Sequence, residues 1–388
     1  MSLTFDSARI PNPHLTEDHL AWRDALRRFV DKEIMPYAED WDEAGHIPIA
    51  LWPKAAEVGL LGAGYPEQYG GMETDSWHSW IINEELSRVG VGGLSASLMV
   101  HGIGLPPVIN WGTEAMKAEI APPVLRGESW ISLGITEPGG GSDVASLKTT
   151  AVRDGDHYIV NGAKTYITGG MRANYVSTAV RTGGDGATGV SMLLIPTDAE
   201  GFSRTALDKK MGWWASDTAT LYFDNVRVPV SNLIGQENQG FRVIMTNFNS
   251  ERMGMAAAME AYGRVCLEEA VNWARERQTF GKRLADHQVI RHKIAMMKQK
   301  LNATQAYIRI CYEAIEAGEA NAGDIALLKV QASEVMEFCA REAMQILGGV
   351  GYMRGNRVER IYREVRVNAI GGGSEEIMRD LASRQYGL

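Results

Sequence analysis

The sequence predicts an α+β protein of several domains: an N-terminal α-helical domain, a middle antiparallel β-barrel or sandwich, and a C-terminal four-helix bundle. A length of 388 residues is enough for two or three packed units, each with its own core. The hydrophobic period changes from helical to strand-like near residue 131 and returns to helical near residue 236. These changes place the domain boundaries at 1–130, 131–235 and 236–388.

Helical spacing dominates the N-terminal domain. Thr16 offers a capping hydroxyl ahead of two acidic residues, and Trp22, Leu26 and Phe29 recur at intervals of four and three residues. The sequence therefore predicts a helix that begins directly after Thr16 and buries this apolar face.

Short segments rich in β-branched and aromatic residues fill the middle domain, with turn signals such as Asn161-Gly162 between them. Their close spacing leaves no room for the crossover helices that a parallel, doubly wound sheet requires. An antiparallel sheet is therefore expected. The predicted strands are Thr149–Val152, Tyr158–Val160, Thr165–Thr168, Tyr175–Val180, Val190–Ile195 and Leu221–Val228.

Long helical patterns return in the C-terminal domain, where glycine clusters interrupt them. Helices of this kind bury their apolar stripes against one another as a bundle. The predicted segments are Gly240–Arg277, His287–Ala317, Asn321–Leu347 and a closing helix after Ser374.

Composition excludes several function classes. A formal charge of −9 argues against a nucleic-acid or anionic-membrane binder, since either needs a basic surface. No apolar run approaches the ~20 residues that span a bilayer, and the first residues lack a signal-peptide pattern, so a cytoplasmic location is expected. Motifs for ATP, zinc and serine hydrolases and for Rossmann cofactors are missing, and no metal site is predicted. The three cysteines have no metal spacing and are expected to be buried core residues.

The segment Leu133–Asp143 contains three consecutive glycines, with the hydroxyl groups of Thr136 and Ser142 on either side. One interpretation is a plain glycine-rich turn. The other is a site where the backbone closely approaches a ligand such as an isoalloxazine ring or a phosphate.

Glu251 places a carboxylate on an apolar helix face, which it shares with Phe248, Met255 and Ala258 at i−3, i+4 and i+7. Loss of hydration raises the pKa of such a carboxylate toward the range of a useful general base. The alternative is a buried ion pair with an arginine in a structural network.

Two further segments carry groups suited to anions. Arg275–Lys282 has three cations near a helix end, which either form a solvated terminus or cover a diphosphate. Gly371–Glu376 opens a helix with Ser374 as N-cap, which is a sufficient structural explanation. The backbone amides before that helix are also suited to hold an oxyanion.

Six segments together resemble the acyl-CoA dehydrogenase family, and the resemblance covers essentially the whole chain. The segments follow the order and spacing found in the family, so the six together indicate this family far more specifically than any single segment does. The segments are Pro66–Gly71, Ile135–Asp143, Asn161–Thr168, Phe223–Pro229, Arg277–Lys282 and Gln345–Tyr352.

The resemblance implies an acyl-CoA dehydrogenase-like fold, a homotetramer and one FAD per subunit. The flavin ring would lie in the middle domain, and its diphosphate and adenine would meet C-terminal residues, with Gln345–Gly349 coming from a neighbouring subunit. The implied FAD residues are Leu133, Ile135, Thr136, Gly141, Ser142, Tyr166, Ile167, Thr168, Arg277, Gln278, Thr279, Gln288, Gln345, Ile346, Gly348, Gly349, Ser374 and Glu376.

One position departs from the pattern of many family members, whose catalytic base is a Glu just before the last helix. This chain has Gly372 there. Members resembling the long-chain and isovaleryl enzymes carry the base in a Glu-Arg pair on the bundle helix, which matches Glu251 and Arg252. The resemblance thus implies Glu251 as the base, with a displaced carboxylate as the alternative, and the Gly372 amide as a donor to the thioester oxygen. The implied substrate residues are Ser142, Phe248, Asn249, Arg252 and Gly373.

The implied activity is α,β-dehydrogenation of an acyl-CoA to trans-2-enoyl-CoA, as in fatty-acid β-oxidation, with electrons passed to an electron-transfer flavoprotein. Glycines in Leu98–Pro107 suggest room for a medium or long chain. The alternatives are a short branched-chain dehydrogenase, a flavin oxidase, monooxygenase or nitroalkane oxidase-like enzyme on the same scaffold, and a non-catalytic or nucleic-acid-binding homologue. The acidic charge argues against the last of these.

Overall fold

The computed structural model describes residues 3–388. Met1 and Ser2 lie outside the described residues. They begin the N-terminal segment whose lack of a signal-peptide pattern predicts a cytoplasmic location. The chain divides into two compact units. The first unit contains the residues up to Asp40, Asp75–Gly92 and Arg252–Leu388, and the second contains Trp41–Thr74 and Gly93–Glu251. The three domain ranges inferred from the sequence follow changes of secondary structure, and they stay a prediction.

The N-terminal region is helical, and the predicted N-cap at Thr16 is confirmed. The Thr16 hydroxyl accepts the His19 N–H, while the His19 ring accepts the Thr16 N–H. Leu26 and Phe29 are buried, as their spacing predicts. The helices are α1 (Glu17–Phe29), α2 (Ala38–Ala44), α3 (Leu51–Glu57), α4 (Ser76–Ser87), α5 (Gly92–Leu98), α6 (His101–Gly104), α7 (Pro106–Trp111) and α8 (Glu114–Leu125).

The middle of the chain forms one eight-stranded sheet within the second unit. Two predicted segments, Tyr158–Val160 and Thr165–Thr168, belong to a single long strand. The strands are β1 (Ile131–Gly134), β2 (Thr150–Asp154), β3 (His157–Thr168), β4 (Tyr175–Arg181), β5 (Val190–Pro196), β6 (Phe202–Ala206), β7 (Thr218–Pro229) and β8 (Leu233–Ile234).

Pairing in this sheet is mostly antiparallel, as predicted, in the order β6-β7-β3-β2-β4-β5-β8. Strand β1 departs from the pattern: it pairs parallel with β4, with Leu133 opposite Ser177. Thr150 of β2 also meets Arg181 of β4 in parallel register. Strand β6 lies outside the predicted strands because it is an edge strand whose side chains are half-buried or exposed, so it lacks an apolar face.

The four predicted C-terminal helices are present. The three that were predicted with both a first and a last residue begin and end within one residue of those positions, and the closing helix begins directly after Ser374. A further helix, Arg357–Ile370, lies between the last two predicted helices. It is not among the predicted helices, because its many Arg and Glu residues obscure the apolar face formed by Val358, Ile361 and Val365, which are buried. The helices are α9 (Gly240–Glu276), α10 (Gln288–Glu316), α11 (Ala322–Leu347), α12 (Gly349–Tyr352), α13 (Arg357–Ile370) and α14 (Glu375–Gln385); the strands β9 (Gln278–Thr279) and β10 (Lys282–Arg283) form a hairpin between α9 and α10.

Each unit has its own apolar core. In the first unit, side chains of α4, α9, α10, α11 and α13 form one cluster, which contains the buried thiols of Cys266, Cys311 and Cys339. The expected burial of the cysteines is confirmed. In the second unit, the sheet packs around Tyr158 and Val226, and a further cluster joins β1, β4 and β5 to α8 and the start of α9.

Within residues 3–388, every single helix is too short or too polar to cross a membrane. One sharply bent pair, Gly92–Leu98 with His101–Trp111, reaches the required length and composition only when its two helices are taken together.

Candidate active site

The glycine-rich segment after β1 and the end of β3 lie together in the second unit. The Thr165 N–H donates to the Thr136 carbonyl (2.8 Å), and the Ser132 hydroxyl donates to the Thr168 carbonyl (2.9 Å). Gly141 folds back toward the Thr136 side chain. The structure therefore groups the residues that the resemblance assigns to the flavin ring, namely Leu133, Ile135, Thr136, Gly141, Ser142, Tyr166, Ile167 and Thr168.

A buried ion pair shapes this segment. The fully buried Lys164 ammonium donates to the Ile135 carbonyl (3.0 Å) and to Glu137 Oε1 (2.8 Å). The Glu137 carboxylate also accepts the N–H groups of Lys148 and Thr149. Burial on its own would raise the pKa of Glu137, but the Lys164 charge and these hydrogen bonds hold it at about 2. Neither residue of the pair is a predicted site residue, because two charges so far apart in the chain carry no pairing signal.

The same region fits a flat aromatic cofactor. A Cβ at Gly139 or Gly140 would meet nothing within 4 Å, and neither residue has a positive φ, so the chain itself does not require glycine there. Tyr166 has a left-handed backbone (φ 59°) and a side chain that is 71% exposed. A ligand that approaches the backbone closely accounts for both features. The residues present therefore fit FAD.

The third and fourth turns of α9 carry Glu251 and three of the predicted substrate residues, Phe248, Asn249 and Arg252. Phe248 and Leu133 both pack against the apolar cluster that contains Ile135. Asn249 and Glu251 are half-buried. A carboxylate in this position is neither fully solvated nor sealed in a core, as a base that must reach a substrate requires.

Arg252 directly follows Glu251, and its buried guanidinium holds a turn of the first unit. Its Nε donates to the Gly372 carbonyl (3.1 Å), so Arg252, Gly372 and the adjoining Gly373 lie together. Lys329 of α11, which is not a predicted site residue, also binds this turn. A lone lysine in an otherwise apolar stretch of α11 is the sequence signal that could have found it.

The predicted diphosphate residues Arg277, Gln278 and Thr279 stand at the end of α9 and on the β9–β10 hairpin. The Thr279 hydroxyl lies 3.0 Å from His287 Nε2, which ties the hairpin to the start of α10, where Gln288 is exposed. The hairpin residues and Gln288 thus form one exposed surface of the first unit.

The remaining predicted FAD residues stand on other elements of the first unit. Gln345, Ile346, Gly348 and Gly349 surround the end of α11, and a Cβ at either glycine would meet nothing within 4 Å. Ser374 is the N-cap of α14, as predicted. The Glu376 backbone N–H, with the Ser374 hydroxyl, lowers the pKa of the Glu376 carboxylate. The roles of these residues toward FAD stay a prediction.

One cluster of possible metal ligands lies elsewhere in the first unit. The nitrogen and oxygen ligand atoms of His19, Asp75 and His78 lie within 4.8 Å of one another. The Thr16 N–H donates to His19 Nδ1 (3.0 Å), so His19 Nε2 carries the ring proton and donates to Asp75 (3.0 Å). A metal ion bound at Nε2 would require the ring proton to move to Nδ1. Two hydrogen-bond donors, the Nδ1–H and the Thr16 N–H, would then face each other, which is unfavourable. Hydrogen bonding between α1 and α4 therefore explains the cluster.

A glycine-rich segment that fits a flavin, on a mostly antiparallel sheet, together with a half-buried carboxylate on a long helix, is the arrangement expected of a flavin-dependent oxidoreductase. The family models for the N-terminal, middle and C-terminal domains of acyl-CoA dehydrogenase match residues 16–128, 132–226 and 238–387. The chain belongs to the acyl-CoA dehydrogenase family, whose members are FAD-dependent enzymes.

Curated and structural relatives agree with the family models. Acyl-CoA dehydrogenase AFT10-1 of Alternaria alternata is 38% identical over 97% of this chain and 93% of its own length. The mitochondrial long-chain specific acyl-CoA dehydrogenase of Rattus norvegicus is 34% identical over 95% of this chain and 86% of its own. The crystal structure of a probable acyl-CoA dehydrogenase from Mycobacterium abscessus has a TM-score of 0.94 and 45% identity, covering 96% of this chain and 99% of that one. The predicted family and fold class are confirmed.

Proposed function

We propose that this enzyme dehydrogenates a medium- or long-chain acyl-CoA to the trans-2-enoyl-CoA and delivers the electrons to an electron-transfer flavoprotein. The observation that carries the proposal is the hydrogen bond from Arg252 to the Gly372 carbonyl. Gly372 occupies the position where many family members carry the base, and it has no side chain to accept a proton. Glu251, next to the arginine that holds this turn, supplies a carboxylate instead.

Two groups of the chain act on the substrate in this proposal, and a third holds the backbone beside one of them. The Gly372 N–H donates to the thioester oxygen and stabilises the charge that develops there as the α-proton leaves. The Glu251 carboxylate accepts that proton. Arg252 holds the Gly372 carbonyl, and so the peptide group directly after the one that carries the Gly372 N–H. The chemistry that FAD supplies when bound is acceptance of the hydride from Cβ, which leaves the neutral enoyl thioester.

Residues of the segment between α5 and α7 bear on the acyl chain. Gly104 is required by packing, since a Cβ there would lie 2.6 Å from the Ile131 carbonyl oxygen, so it leaves no space for a ligand. At Gly102, in contrast, a Cβ would meet nothing within 4 Å. The Asn247 side chain donates to the Ile103 carbonyl (3.1 Å) and so ties this segment to α9. The open space at Gly102 and the long-chain specificity named for the rat relative support a medium- or long-chain substrate.

A homotetramer is part of the proposal. Phe280, Tyr352 and Met353 are large apolar side chains with 97%, 81% and 64% exposure. They adjoin residues assigned to the FAD diphosphate and adenine, of which the resemblance draws Gln345–Gly349 from a neighbouring subunit. Contacts with other copies of the chain would cover these side chains where the cofactor is completed. The cytoplasmic location inferred from the sequence stays a prediction.

An anaerobic titration of the FAD-loaded enzyme tests the substrate class. Straight-chain acyl-CoAs of short, medium and long length and short branched acyl-CoAs are added in turn, and the oxidised flavin absorbance is followed. We expect loss of that absorbance with medium or long chains. Reduction by branched chains alone would favour the branched-chain alternative. If no acyl-CoA reduces the flavin, the dehydrogenase proposal fails, and fast peroxide formation in air with another donor would favour an oxidase.

The variant Glu251→Gln tests the base. Gln keeps the shape of the side chain but cannot accept the α-proton, so we expect flavin reduction to slow by a factor of about 10² or more while FAD content stays unchanged. Glu276→Gln, an exposed carboxamide variant at the end of the same helix, is the matched control and should reduce at the wild-type rate. A Glu251→Gln enzyme with wild-type reduction kinetics would transfer the role to a displaced carboxylate.

A further inference from the structure

Lys329 is a fully buried lysine within the helix α11. Its ammonium donates to two backbone carbonyls at the two ends of the turn between α13 and α14: the Gly373 carbonyl (2.7 Å) and the Ala369 carbonyl (3.2 Å). A buried ammonium is costly unless hydrogen bonds satisfy it, and these carbonyls do so here. The Lys329 side chain therefore links the two ends of the turn.

The turn itself has a conformation that only glycine adopts readily. Gly372 and Gly373 have φ values of 66° and 105°, and a Cβ at Gly373 would lie 2.4 Å from the Met378 methyl carbon. The Gly371 N–H donates back to the Val367 carbonyl (2.7 Å), which closes α13. Three flexible residues in succession need external contacts to hold one conformation.

Two cations supply those contacts. Arg252 holds the Gly372 carbonyl, and Lys329 holds the carbonyls of Ala369 and Gly373. Peptide groups are planar, so the held carbonyls of Gly372 and Gly373 also fix the N–H groups of the residues that follow them. On the other side, the Gly371 N–H bond to the Val367 carbonyl fixes the peptide group between Ile370 and Gly371. The Gly372 N–H belongs to the peptide group between Gly371 and Gly372, which lies between two of these fixed peptide groups, and it forms no hydrogen bond with another described residue. The fixed peptide groups on either side restrict its direction, and it remains able to donate to a ligand.

We propose that Lys329 is a positioning residue that aims the Gly372 N–H at the thioester oxygen, an inference that rests on the function proposed above. Lys329 does not touch the substrate in this scheme. It acts through the glycine turn, and its effect is confined to ligands that carry a carbonyl at the thioester position. A hydrogen-bond donor that is already in position stabilises the charge developing on the thioester oxygen, because the protein need not reorganise as that charge forms.

The test compares two ligands of equal chain length on the FAD-loaded enzyme. One is the enoyl-CoA thioester, and the other is an S-alkyl-CoA thioether, which has no carbonyl. For Lys329→Met we expect about tenfold weaker binding of the thioester, unchanged binding of the thioether, and about ten- to hundredfold slower flavin reduction by acyl-CoA. Binding is measured by calorimetry, and FAD content and melting temperature are recorded for each variant.

Three further variants make the outcome decisive. Lys298→Met is the matched control, because the Lys298 ammonium also binds a backbone carbonyl (Ala8, 2.7 Å) in the same unit but is far from the turn in sequence. It should leave both affinities unchanged. If Lys329→Met does not fold, Lys329→Gln, which keeps one donor group, replaces it. Lys329→Arg should restore much of the thioester affinity.

Several results would overturn the inference. Equal weakening of both ligands by Lys329→Met would show a general structural role. Wild-type affinity for the thioester would show that the turn holds its conformation without Lys329. Failure of the proposed function is a separate observation, because in that case the wild-type enzyme itself is not reduced by any acyl-CoA.

Discussion

At the scale of single residues, Glu260 of α9 is the buried acid whose ionisation we expect to affect stability most. One of its oxygens accepts from Arg264 Nε (2.9 Å), and the other is buried without a hydrogen-bond partner among the described residues. Glu84 competes for the same guanidinium, and Arg9 and Arg23 in turn bind Glu84. Burial raises the pKa of Glu260 to about 7.

This pKa predicts a specific dependence of stability on pH. Between pH 4.5 and 7 the unfolded chain releases the Glu260 proton while the folded chain retains it, so the stabilising contribution of this group is present below pH 4.5 and is lost as pH rises through 7. Glu260→Gln cannot ionise. Its free energy of unfolding relative to wild type should therefore improve by about 3 kcal/mol from pH 4.5 to pH 8, as measured by urea denaturation. Parallel pH profiles for the two proteins would contradict the prediction.

At the scale of elements, the Lys164–Glu137 pair determines how the segment after β1 meets the end of β3. Glu137 accepts from Lys164 and from two backbone N–H groups, so it fixes both ends of the glycine-rich loop. Glu137→Gln keeps one acceptor oxygen but removes the charge that faces the buried ammonium. We expect FAD to bind about tenfold more weakly, because the loop no longer has a single conformation to present.

Flavin release on dilution, followed by fluorescence of free FAD, measures this effect. Glu200→Gln, at an exposed position between β5 and β6 in the same unit, is the control and should retain FAD like the wild type. If Glu137→Gln holds FAD as tightly as the wild type, the ion pair is not what orders the loop.

The elements also show which parts of the structure the sequence could predict. Helices α9, α10, α11 and α14 were predictable because capping residues and glycines mark their ends, as Ser374 does for α14. Helix α13 was not, because its charged residues mask a narrow apolar face. The parallel β1–β4 pairing and the Lys329 contacts join residues about forty positions apart, and periodicity contains no information on such tertiary pairings. The glycine-rich segment and Glu251 were found from local composition, but their partners were not.

At the scale of the whole molecule, the proposed homotetramer predicts that assembly and FAD binding are lost together. Phe280 has a left-handed backbone (φ 51°) at the tip of the β9–β10 hairpin, directly after the predicted diphosphate residues, and its ring is almost fully exposed. A large apolar side chain held in this way is typical of an interface. Phe280→Asp places a charge there, and we expect both dissociation to smaller species and loss of most bound FAD.

Light scattering coupled to size-exclusion chromatography gives the mass, and the ratio of flavin to protein absorbance gives the FAD content of the same peak. Ile49→Asp is the matched control, since Ile49 is also an exposed apolar residue (65%) but lies far from every predicted cofactor residue in the sequence. It should elute as four chain masses with full FAD. A monomeric Phe280→Asp enzyme that keeps its FAD would show that one chain completes the cofactor site alone. A wild-type protein that elutes as a monomer would remove the tetramer from the proposal.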